Sequence, residues 1–330
     1  MDTHKPPGII DSLATGFAII MRRPYLILVP ILVDLLVWRG PGISATPVLQ
    51  QVGSWFLSAA GATGYASDPD TLLMINQQVS QTTETVGQWN LLGILGWQVP
   101  NFLGMGIVDL EGSYLALNAM WALFLMLLVL AVTGVLVGCL FLVPLGMLAR
   151  GDSIDWPRML RSLPGAWLRF TGYLAALVGL GVVIGLPVMV VVGLLAAFVP
   201  LLAPLLLLAV AGGVFLITIY LFLGDEAVIV GGARPLAAMK ESYRIASRHF
   251  WSVLGLFLLV AVISQGLDLV WRRVATSTAG MWGGAVGNAF IATGLAASVM
   301  VYYWGRRPIA ARGPLPQAAD RGLGASGKDD

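Results

Sequence analysis

The chain has 330 residues, of which 58% are hydrophobic, a further 40 are glycine and only 11% are charged. A soluble domain carries about 25% charged residues, so a mean hydropathy of +0.84 excludes a soluble enzyme, a disordered chain and a collagen-like repeat alike. The net charge is only +2, which gives no basic surplus to attract nucleic acid and leaves the distribution of charge as the informative quantity.

Residues 1–23 read as an N-terminal segment with an interfacial helix, ending at Arg22-Arg23. The first span follows over 24–42, bounded by Pro24 and by Arg39-Gly40-Pro41-Gly42, and it is short for a bilayer. Asp34 lies 11 residues beyond Arg23, about 16 Å along a helix at 1.5 Å per residue, which is mid-bilayer. Ser44-Ala45 imitates a signal-peptide cleavage site, but Asp34 and Arg39 argue against cleavage.

Residues 43–113 form a segment too long for a linker. Val48, Val52, Trp55, Phe56 and Ala59 mark one amphipathic helix, and Leu72, Ile75, Val79, Val86 and Trp89 mark a second. The stretch 91–105 is apolar but too short to span, which predicts an interfacial or re-entrant segment. The whole segment reads as an extracytoplasmic helical cap and as the surface best suited to a protein partner.

Five further spans lie within 114–305, at 117–140, 171–199, 201–223, 251–271 and 284–304. Pro200 and Pro204 cut the long apolar run of 171–223 into a tight hairpin. Cytoplasmic interfacial helices are expected at 153–170 and 232–249, and 306–330 reads as a disordered tail. The spacing therefore predicts an all-α polytopic bundle of six transmembrane helices, arranged as three hairpins that each follow an amphipathic interfacial helix.

Sixteen of the 19 basic residues fall on the side that holds both termini, leaving Arg39, Arg272 and Arg273 opposite. Residues 41–113 contain no Lys or Arg but five acids, Asp68, Asp70, Glu84, Asp109 and Glu111. The positive-inside rule then places both termini in the cytoplasm of a bacterial inner membrane.

Three segments share one pattern of a serine, an aromatic at helical spacing and basic residues at the membrane. They run from Ser12 to Tyr25, from Arg161-Ser162 to Phe170 and from Glu241-Ser242 to Trp251. The last two serines are 80 residues apart, and the first two are 77 apart once 41–113 is set aside, which suggests one repeated unit. In the third copy Lys240, Arg244 and Arg248 make an i, i+4, i+8 basic stripe, and Arg161 and Arg169 stand in the second copy. Such cations act either as topology determinants or as ligands for anionic lipid head groups.

Chemistry-bearing residues are scarce. Two histidines, His4 and His249, and one cysteine, Cys139, cannot assemble a zinc site or a disulfide, and no nucleophile elbow, phosphate loop or metalloprotease motif occurs. No catalytic residue, metal or cofactor is expected. The intramembrane polar candidates are Asp34 with Asn118, Ser264 and Gln265 as partners on other helices. Asp34 could carry a proton or cation, or could hydrogen-bond helices together. Asp225 and Glu226 are expected to pair with neighbouring arginines. Gly134-x3-Gly138, Gly181-x3-Gly185 and Gly283-x3-Gly287 suggest close helix contacts, and tryptophans such as Trp38, Trp167 and Trp251 suggest interface anchors.

One stretch carries a family signature. It runs Asp225-Glu226-Ala227-Val228-Ile229-Val230-Gly231-Gly232, then Arg234-Pro235-Leu236 through Met239-Lys240-Glu241-Ser242-Tyr243, then Phe250-Trp251. With Arg22-Arg23-Pro24-Tyr25-Leu26, Val29-Pro30 and Asp34, it resembles the membrane domain attached to some bacterial glycerophosphoryl diester phosphodiesterases and its stand-alone relatives. The resemblance covers about a third of the chain. No phosphodiesterase barrel accompanies it, so it implies an architecture rather than an activity. The sequence thus leads to a non-enzymatic scaffold or accessory module that binds lipids and protein partners, with a small permease working through Asp34 as the alternative.

Overall fold

The computed structural model describes residues 7–62, 69–101 and 114–307. The expected tail beyond 307, and residues 102–105 of the expected re-entrant stretch, lie outside the described residues. Eleven α-helices run through the described residues, and five of them are long and apolar enough to cross a membrane. The count becomes six if the bent pair at the N-terminus is one span.

Helix α1 (Ile9–Arg22) begins where the Asp11 carboxylate accepts a hydrogen bond from the Gly8 N–H at 3.1 Å. Ser12, Gly16 and Ile20 recur every four residues and are buried as one face. That face lies on the last helix, α11 (Thr278–Arg306), where the absence of a Gly16 side chain admits the Ser298 backbone. Pro24 ends α1 and opens a 3-10 turn over Pro24–Ile27, and α2 (Leu28–Arg39) leaves at 95° to α1. With 12 residues α2 is about 18 Å long, well short of the roughly 30 Å hydrocarbon core.

The cap consists of α3 (Thr46–Ala62) and α4 (Pro69–Gly87), packed on each other. Two three-residue strands, β1 (Gly42–Ser44) and β2 (Tyr114–Ala116), pair in parallel and bracket it. Their backbone pairing ties the two ends of the cap together within an otherwise all-α chain. Asn90, 3% exposed, completes the tie, its Oδ1 accepting from the Ile43 and Leu92 N–H groups at 3.1 Å each. Of the expected apolar stripe on α3, Val48 is buried but Trp55 is 71% exposed.

After Asn90 the chain turns into the bundle. A 3-10 segment (Leu91–Gly96) and the irregular residues to Asn101 lie along α5 (Met120–Ala149). Gly134 stands against Ile94 and Leu95, and Gly138 against Gln98. Gly134 is at the midpoint of α5, so the described part of this segment, expected as interfacial or re-entrant, packs along that helix past its midpoint.

Helix α6 (Trp156–Phe198) is continuous over 43 residues, started by Pro157 and by Asp155, whose carboxylate accepts from the Arg158 N–H at 3.4 Å. The separate interfacial helix expected at 153–170 is therefore corrected: Pro164 does not break the helix, and the amphipathic turns run straight into the span. The Trp167 indole N–H, expected at the lipid interface, donates instead to the Val132 carbonyl of α5 at 3.1 Å. Helix α7 (Ala203–Leu221) returns, and the short α8 (Gly224–Ile229) follows a break at Phe222-Leu223. Ser242 of α9 (Pro235–Arg248) mends that break, donating to the Tyr220 carbonyl at 2.8 Å and accepting from the Leu223 N–H at 3.2 Å. Helix α10 (Phe250–Val274) and α11 close the bundle.

Arg306 donates to the Pro7 carbonyl at 3.0 Å, so the two described ends of the chain meet at one end of the bundle. We refer to it as the basic end and to the other as the cap end. The core lies toward the basic end, where Phe141, Phe170, Tyr173, Tyr302 and Tyr303 are at most 1% exposed.

Candidate functional site

Three places bring polar side chains together. The first is Asp34. It is 1% exposed and faces a cavity of about 10 Å³ walled by Ile31, Leu35, Trp38, Met281, Trp282 and Ala285. That volume holds about one water. None of the expected partners joins that wall. Asn118 sits at the cap boundary, where its backbone carbonyl accepts from Gln51 Nε2 at 3.0 Å. Ser264 and Gln265 line a different cavity, of about 220 Å³, with Asn101 and Asn288. The expected cluster is therefore corrected: helix register puts Asp34 on the α2–α11 contact, while α10 turns Ser264 and Gln265 toward the re-entrant segment.

The second place is a cleft of about 310 Å³ at the basic end, lined by Lys240, Glu241, Arg244, Arg248 and His249 with Arg306 from α11. The four-residue spacing of Lys240, Arg244 and Arg248 puts all three on one side of α9, opposite its buried face of Ala238, Ser242, Ile245 and Ala246. Glu241 does not neutralise them. Its carboxylate accepts from Tyr303 Oη at 2.7 Å and from Arg307 Nε at 3.1 Å. Among the described residues no carboxylate pairs with Lys240, Arg244 or Arg248. Arg306 is fixed by Pro7, by Ser252 Oγ at 3.1 Å and by stacking 3.5 Å over the Tyr302 ring. The imidazole of His249 is held below its ordinary pKa by partial burial, then by the positive charges of Arg306 and Arg248. The cleft thus gathers cationic donors beside a carboxylate, Glu241, that is already committed to Tyr303 and Arg307, an arrangement that can receive a phosphate or phosphodiester anion.

The five expected head-group ligands do not form one set. Arg161 is exposed on α6 and Arg169 is half-buried there, and neither lines the cleft. Arg306 and His249 belong to it and were not among the expected ligands. His249 simply follows Arg248 in the chain, whereas Arg306 reaches the stripe through tertiary structure, where Tyr303 and Arg307 beside it donate to Glu241 of α9.

The third place is a cavity of about 280 Å³ between the re-entrant segment and α8, lined by Asp225 and Glu226 with Gln98, Pro100, Phe141 and Met300 among its walls. The expected pairing of Asp225 and Glu226 with arginines is not made among the described residues. Gly224, just before the two acids, packs so closely on Tyr173 that a side chain there would collide with it, and both acids are half-buried. Cys139, the lone cysteine, is fully buried on α5 and lines none of these places.

No family model, no curated protein and no solved structure matches the chain.

Proposed function

We propose that the protein is a non-enzymatic multi-pass scaffold or accessory module of the bacterial inner membrane that holds anionic phospholipid head groups in its basic cleft. In this reading the chain makes six crossings in three hairpins, the first and third entered from the amphipathic helices α1 and α9 and the second from the amphipathic first turns of α6, with both termini cytoplasmic. Residues 43–113 lie outside and offer Trp55 and neighbouring exposed groups to a protein partner. The kinship with the phosphodiesterase-associated membrane domain belongs to the same proposal.

The observation that supports it is the unneutralised row of Lys240, Arg244 and Arg248 beside Arg306 at the end of the bundle where the basic residues gather. A topology determinant needs only charge on the correct side. It does not need three cations converging on a cleft with a fourth held rigidly by a carbonyl, a hydroxyl and a ring. Each cation near an anionic membrane surface contributes about 1 kcal/mol. The test is the lipid content of the protein purified from its native membrane in mild detergent. Wild type should retain anionic phospholipid that the K240Q/R244Q/R248Q variant loses, and equal retention would overturn the proposal.

A further inference from the structure

We propose that Asp225 and Glu226 bind a hard, oxygen-seeking cation in the cavity beneath the re-entrant segment. Asp225 and Glu226 are each only partly exposed, and withdrawing two adjacent carboxylates from water without counter-charge is unfavourable. No Lys or Arg lines their cavity, and its other walls are apolar apart from Gln98. Glu226 Oε2 has essentially no accessible surface and no hydrogen-bond partner. An enclosed, unpartnered carboxylate oxygen at the edge of a polar void is what a ligand or a proton would satisfy.

Three features favour a cation over a proton. The cavity measures about 280 Å³, room for several waters at about 30 Å³ each, whereas a proton needs no space. The donors available are oxygens only, from two carboxylates and the Gln98 carboxamide, which suits a hard ion that keeps part of its hydration shell. The backbone opposite the acids is irregular from Trp97 to Asn101 although it lies at the depth of Gly138. Irregular backbone at such depth is tolerated where it is buried in protein or lines a wet cavity. Pro100 also borders the 220 Å³ cavity of Asn101, Ser264, Gln265 and Asn288, so polar space adjoins the site on its cap side.

The experiment is thermal unfolding of the full chain in detergent at fixed pH and ionic strength. Choline chloride is replaced in turn by sodium, potassium, magnesium and calcium chloride. At least one of the four should raise the midpoint saturably, because a ligand bound only by the folded state stabilises it. The half-saturating concentration should rise at least tenfold in Asp225→Asn and Glu226→Gln. If none of the four raises the midpoint above choline, or if both amide variants respond as wild type does, the proposal falls. A midpoint that follows pH but ignores every cation also overturns it, in favour of a protonated pair. Should the amide variants fail to fold, Gln98→Met keeps both acids and must still weaken the response severalfold, and an unchanged value there counts against the site.

Discussion

Two regions of this bundle are both apolar enough to cross a membrane and have opposite surroundings. In the most apolar window of α11 56% of residues are buried within the protein, and in that of α5 44%, whereas in α6 none is and in α7 only 6%. Glycines separate the regions most sharply. Gly16, Gly134 and Gly138 each admit a neighbour so closely that a Cβ would collide with it, while Gly179, Gly181, Gly185, Gly212 and Gly213 have nothing within 4 Å of that position. Lipid tails are as apolar as leucine, so no hydrophobic force draws these helices together and close approach must hold them. A span can therefore be recognised from its apolar length, but its role in the fold depends on which small residues receive a partner.

That contrast can be broken by substitution. Gly16→Ala should have the largest effect, because its Cβ would lie 2.7 Å from the Ser298 Cα. Overpacking of this kind costs about 1–3 kcal/mol, and more where backbone must move. Thermal unfolding in detergent should show a clear fall in midpoint, together with loosening of α1 detected by proteolysis near the N-terminus. Asp34→Leu comes next, with a loss of about 1–2 kcal/mol of helix association as the hydrogen-bonding carboxyl disappears from the α2–α11 contact. Asp34→Asn preserves most of that capacity and should lose less, so equal damage from both would mean that the ionised form is required. Gly181→Ala and Gly185→Ala should be the mildest, within about 0.5 kcal/mol. A large effect there would show that the α6–α7 hairpin meets a partner chain.

Much of this fold was legible because membrane physics leaves few choices. Arg22-Arg23-Pro24 marks the turn into α2, Pro200 and Pro204 mark the α6–α7 turn, and Ser12-Gly16-Ile20 repeats with the period of a buried helix face. The stretch after Leu91 was too short to span, and its described part packs along α5 as far as Gly138. What escaped the sequence depended on long-range pairing. Asn90 bonds across nearly fifty residues to Ile43, and β1 meets β2 some seventy residues later. Asp34 drew attention by its depth in an apolar run, yet depth alone does not reveal whether an acid faces a void or a packed wall. Asp225 and Glu226 read as ordinary residues at a span end, and only the packing of the segment around Gln98 makes them part of a cavity wall. The basic stripe was readable on α9, but Arg306, the fourth cation of its cleft, came from α11.

The measurement closest to the central claim is a titration of the detergent-solubilised protein with short-chain phosphatidylglycerol and phosphatidylcholine at low and physiological salt. The anionic lipid should bind more tightly, and K240Q/R244Q/R248Q should weaken it on the order of a hundredfold, from about 1 kcal/mol per cation. A bound phosphodiester would also offset the Arg306 and Arg248 charges that lower the His249 pKa. Binding would then take up a proton, so affinity should rise as the pH falls. Equal affinity for the two lipids, or equal affinity of wild type and the triple variant, would contradict the account.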